Sequence, residues 1–131
     1  MNSRNVLLAA GLLGALGVGL GAFGAHGLRV VLAERGTSNA WETAVRYQLW
    51  HAIGLLGLAI WLRQGADAAA ATLGWAARCW TGGVVIFSGS LYALALGGPR
   101  WLGPITPFGG VALMIGWLLL AVIALRRRET R

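Results

Sequence analysis

At 131 residues the chain is long enough for one domain. With 57% of its residues hydrophobic and 11% charged, it is far too apolar for a soluble one, in which about a quarter are charged. Its formal charge of +7 comes from arginine with no lysine, and these arginines lie between and beyond apolar runs, where they serve membrane topology and anionic headgroups, not nucleic acid.

Val6 to Ala25 is a charge-free run after Arg4, long enough to cross a hydrocarbon core of about 30 Å. A signal peptide is the rival reading, but its apolar part is usually about 7 to 15 residues and a soluble domain would follow. The run is therefore expected to be the first span. Its Gly11, Gly14, Gly17, Gly21 and Gly24 place small residues where a neighbouring backbone can approach closely, and association with other membrane helices is expected through Gly14, Gly17 and Gly21.

Gly27 to Gly36 encloses LRVVLAER (Leu28 to Arg35), a mixed apolar and charged stretch suited to the membrane interface. Thr37, Ser38 and Asn39 turn the chain, and Asn39 as N-cap with Glu42 three residues later approximates a capping box, so a helix should begin at about Ala40. Leu49 to Leu62 gives only 14 charge-free residues, short of the roughly 17 a span needs. The helix must borrow its first turns from Glu42 to Gln48, which holds those charges at the membrane edge.

Arg63 to Ala71 reads as a linker, with Asp67 as N-cap of the next helix. Trp75, Arg78 and Trp80 are expected as interfacial anchors, and Cys79 to Gly98 as the third charge-free run, stopped by Gly97, Gly98 and Pro99. Cys79, the only cysteine, is expected as a small buried core residue. Thr106 as N-cap and Pro107 at N1 start the last helix, which runs to Leu125 before RRRETR. The expected fold is all-α, an integral membrane four-helix bundle in one domain, residues 1-131, with spans at about 6-26, 41-62, 73-97 and 107-125. A short interfacial helix lies between helices 1 and 2, and two helical hairpins pack together.

Four spans put both termini on one side with Arg4, Arg63, Arg78, Arg126, Arg127, Arg128 and Arg131, against Arg29, Arg35, Arg46 and Arg100 on the other. The positive-inside bias then places both termini in the cytoplasm. Polar residues of all four helices gather in the outer half: His26, then Glu42, Arg46, Tyr47, Gln48 and His51, then Ser88, Ser90 and Tyr92, then Thr106. Ionisable groups inside a membrane are functional-site hypotheses by default. The competing reading is helix-to-helix hydrogen bonding, at about 0.6 kcal/mol per contact. Glu42 and Arg46 stand four apart, acid first, the order favourable for an ion pair.

His26 and His51 lack the companions of a metal or haem site, such as CxxCH, HExxH or clustered carboxylates, and no cofactor is expected. His51 is expected to face Tyr47, Ser90 and Tyr92, as a proton-handling group or as a neutral hydrogen-bonded histidine. Trp50 and Trp117, inside the spans, read as packing residues. Gly109, Gly110 and Gly116 likewise read as packing surface, since nothing completes a phosphate loop.

GAFGAHGL (Gly21 to Leu28), WETAVRYQLWHA (Trp41 to Ala52), FSGSLYAL (Phe87 to Leu94) and GPITPFGG (Gly103 to Gly110), with Gly116 and Trp117, resemble the YgdD-like family of small bacterial inner-membrane proteins with mitochondrial relatives. The resemblance implies an integral membrane protein of about four helices and carries no activity with it. The functional expectation is a non-enzymatic protein whose outer-half pocket, with Glu42 and Arg46 as polar core, binds a small or lipid-like molecule or a partner helix. The alternative is transport or a proton relay through His51, Tyr47 and Glu42. Membrane lipids, further copies of the chain or other membrane proteins are the expected partners. An enzyme acting on a lipid-soluble substrate lacks a recognisable nucleophile, metal or acid pair.

Overall fold

A computed structural model describes residues 1–65 and 68–126. The expected cap Asp67 and the tail beyond Arg126 lie outside the described residues. Among those described, the chain forms α1 (Ser3–Ala25), α2 (Arg29–Arg35), α3 (Ser38–Arg63), α4 (Ala70–Ala95), a 3₁₀ turn (Arg100–Ile105) and α5 (Thr106–Arg126), with no strand. Two segments, Ser3–Ala25 and Arg100–Arg126, are long and apolar enough to cross a membrane. The two middle helices have 26 residues each but carry more polar groups, Arg46, Gln48 and His51 in α3 and Arg78, Ser88 and Ser90 in α4.

α1 packs on α3, α3 on α4, and α4 on α5. The more polar helices lie in the middle: α3 buries eight residues and α4 ten, against four each for α1 and α5. In lipid this is the favourable order, because polar side chains find partners inside while apolar helices face hydrocarbon. Leu55, Leu73, Val6 and Val84 are among the most buried side chains.

Small residues make the joints. Gly17 faces Leu49 and Gln48, Gly21 faces Val45, and Gly14 lies nearest Ala52. At Gly17 and Gly21 the small-residue face of α1 is therefore taken up by α3 of the same chain, a close helix approach of the kind expected of it. Trp80, 1% exposed, is wedged between Gly54 of α3 and Gly116 of α5, where a Cβ would run into its indole. It is a core residue and not the expected interfacial anchor. Trp75 is exposed, with the Arg78 guanidinium 4.7 Å from its ring centre, a cation–π geometry. Cys79 is half-buried.

The helix starts also depart from expectation. α3 begins at Ser38 and not at Ala40, and no side chain caps it. Thr37, at the cap position, instead donates its hydroxyl to the Ala95 carbonyl at 2.9 Å, tying the start of α3 to the end of α4. Thr106 is already helical, because the 3₁₀ turn runs directly into α5 and its Leu102 and Gly103 carbonyls accept the Thr106 N–H. Its hydroxyl is thereby left for a neighbour. α2 ends at Gly36, whose φ of 66° is a left-handed backbone that glycine adopts at no steric cost. Buried Leu32 anchors α2 among Trp41 and Ala95.

Candidate functional site

α3 runs against α4 so that Trp41 meets Tyr92, Ala44 meets Ser88, and His51 meets Trp80. Moving forward along α3 means moving backward along α4. Tyr92 and Trp80 are thus about 18 Å apart along the α4 axis, at 1.5 Å per residue. This separation divides the expected polar cluster into parts.

The first part is a set of bonds between helices. Gln48 is 3% exposed; its Nε2 donates to the Leu13 carbonyl of α1 at 2.9 Å, and its Oε1 accepts the Tyr92 hydroxyl of α4 at 2.9 Å. Ser88 donates to the Ala44 carbonyl at 2.8 Å, and Trp41 Nε1 to the Leu20 carbonyl at 3.0 Å. The Ser90 and Thr106 hydroxyls meet at 2.7 Å between α4 and α5, with the Phe87 and Leu102 carbonyls as further acceptors. Apart from the Phe87 and Leu102 carbonyl bonds, which are local, each joins one helix to another at roughly 0.6 kcal/mol.

The second part is His51, 4% exposed, whose surroundings are not Ser90 and Tyr92 but Tyr47, Trp80 and Trp117. The antiparallel register carries Ser90 and Tyr92 towards the start of α3. His51 Nδ1 lies 2.7 Å from the Tyr47 carbonyl, and Trp117 Nε1 donates to His51 Nε2 at 3.2 Å. A carbonyl only accepts and an indole N–H only donates, so these partners assign the neutral ring with its proton on Nδ1. Trp117 is more than the packing residue read from sequence. The available signal was its indole N–H, which needs an acceptor wherever it sits inside a span.

Two cavities flank these bonds. One, ≈ 550 Å³, lies between α1, α2 and α3, with Arg29, Glu42 and Arg46 on its wall and Gly24, Leu32 and Trp41 among its apolar lining. Glu42 and Arg46 are both exposed, and among the described residues no ion pair or hydrogen bond joins them, so the expected pair is not formed. Their charges face the cavity and its mouth. The other cavity, ≈ 760 Å³, lies between α3 and α5 and is walled by aromatic residues, including Tyr47, Trp50, Phe87 and Trp117, with His51 among them. His26 follows the end of α1 and is exposed, away from both. Among the described residues, no three His, Cys, Asp or Glu side chains converge as metal ligands.

A family model described as protein of unknown function (DUF423) matches residues 20–110. The UPF0382 membrane protein SERP0230 of Staphylococcus epidermidis is 46% identical over 122 residues, 92% of this chain and 96% of the relative. The UPF0382 membrane protein YwdK of Bacillus subtilis is 41% identical over 112 residues, 85% of this chain and 88% of the relative. The UPF0382 inner membrane protein YgdD of Escherichia coli is 38% identical over 130 residues, 98% of this chain and 95% of the relative. No solved structure matches the chain.

Proposed function

We propose that this chain, which belongs to the DUF423 family, is a four-span protein of the bacterial inner membrane whose cavity between α1, α2 and α3 holds an amphiphile with a phosphate head. In this reading α1, α3, α4 and α5 are the spans, α2 lies in the interface, and the arginine bias keeps both termini in the cytoplasm. The cavity then opens towards the periplasmic side.

The observation that carries the reading is the division of the cavity wall. Arg29 and Arg46 supply guanidinium groups suited to phosphate oxygens, and Glu42 supplies a carboxylate suited to an amine on the same head. Gly21, Gly24, Leu32 and Val45 beside them offer apolar surface to a tail. The volume lies within the usual range of ligand sites, about 300 to 1,000 Å³. The role is binding without chemical conversion, because nothing on the wall pairs a nucleophile with a base. A proton relay is less favoured by the geometry, since the partners of the two His51 nitrogens, the Tyr47 carbonyl and the Trp117 indole, do not pass a proton onward.

Native mass spectrometry of the protein released from detergent tests this. The parent is expected to retain a phospholipid-sized adduct, and Arg29→Leu/Arg46→Leu to lose it while keeping its helical circular dichroism. An equal adduct in parent and variant, or none in the parent, would overturn the assignment.

A further inference from the structure

We propose that the Trp117–His51 hydrogen bond is a proton-operated latch, closing α5 onto α3 across the aromatic cavity and releasing when His51 gains a second proton. It is a side-chain hydrogen bond running directly between α3 and α5. Both ring nitrogens are committed, Nδ1 as donor to the Tyr47 carbonyl and Nε2 as acceptor from Trp117. A proton on Nε2 turns that acceptor into a donor facing the indole N–H, which has no acceptor form. The attraction becomes a repulsion between two N–H groups.

The ring cannot escape the conflict by turning over. A flip would exchange Nδ1 for a carbon and forfeit the 2.7 Å bond to Tyr47. Trp80 packs edge-on against the imidazole at 5.6 Å and is itself held by its own N–H on the Leu113 carbonyl at 3.2 Å. Trp117 is the member with room to move, being 51% exposed on the cavity wall, and moving out gives up its ring contact with Trp80 at 4.5 Å. Its departure leaves the joint between α4 and α5 in place, because Trp80 to Leu113 and Ser90 to Thr106 are untouched.

The groups facing His51 are Tyr47 on its own helix, Trp80 of α4, and Leu113, Met114 and Trp117 of α5. Tyr47 is the one titratable group among them, and none carries a charge to balance an imidazolium. Water must supply that balance, and it enters once Trp117 has swung out. Protonation and opening of the aromatic cavity are therefore coupled through one side chain.

Spin labels at Ile53→Cys on α3 and Leu118→Cys on α5, in a Cys79→Ser background reconstituted in lipid, read the latch as an inter-label distance. Lowering the pH from about 8 to about 4 should move the distribution outward by about 2 Å or more and reversibly. His51→Gln can accept from Trp117 but does not titrate, so its distance should stay at the closed value throughout. Trp117→Phe should sit at the open value at both ends of the range. A parent distance that ignores pH, or a shift of equal size in His51→Gln, would overturn the latch.

Discussion

Tyr92 and Gln48 meet across the α3–α4 interface with the phenol hydroxyl 2.9 Å from Oε1, and the same amide donates to Leu13 of α1. One buried side chain thereby connects three helices, using both ends of its amide. Gln48→Leu is expected to cost about 1 to 2 kcal/mol, because it removes two bonds and leaves the Tyr92 hydroxyl without its acceptor. Adding Tyr92→Phe should cost less than the single changes suggest. Thermal melts of the two single variants and the double variant in one detergent check this; strict additivity would mean the two residues do not interact.

Trp80 between two glycines gives a second test. Gly116→Ala drives a Cβ into the indole and should destabilise the protein by about 1 to 3 kcal/mol, as overpacked cores do. Gly57 also lies mid-helix but has nothing within 4 Å, and Gly57→Ala should be neutral or slightly stabilising through helix propensity. The contrast between the two alanines in the same melt measures the wedge without invoking propensity.

The glycine face of α1 is filled from within the chain, so Gly17→Leu should lower stability by separating α1 from α3. Cross-linking between copies should be unaffected by it at concentrations where the variant remains folded. Loss of a cross-linked dimer without loss of stability would instead assign the face to a contact between chains.

Arg46 and Glu42 are exposed and unjoined, so Arg46→Ala should change stability by less than about 0.5 kcal/mol. The consequence for ligand retention should be much larger than for the melt. A large fall in melting temperature would place these side chains in the structural framework.

The helices were largely legible, and the site was not, for a physical reason. Gly27 and Gly36 punctuate the sequence around LRVVLAER, and a helix forms there from Arg29 to Arg35; the charge-free run after Arg4 ends where α1 ends, at Ala25. These are local signals, set by composition and chain breaks. His51 and Trp117 stand 66 residues apart, and their meeting depends on how α3, α4 and α5 slide against one another. Hydrophobic runs define each helix but leave that register open by several residues, enough to have placed Tyr92 beside His51 in place of Trp80. Asn39 and Thr106 were misread for a related cause: each looked like the cap of its own helix, but α3 already begins at Ser38, and Thr106 is itself helical and turns its hydroxyl to Ser90 of α4.

A phospholipid carrying a photoreactive group near the top of its acyl chain tests the central claim most directly, by mapping where it attaches to the protein in native-like vesicles. Attachment is expected at the apolar lining beside the charged groups, at Leu32, Val45 and Leu49, and should fade in Arg29→Leu/Arg46→Leu. Attachment spread over the exposed faces of α1 and α5, at Leu12, Leu16 and Leu118, and unchanged by the double variant, would contradict an amphiphile site in the cavity.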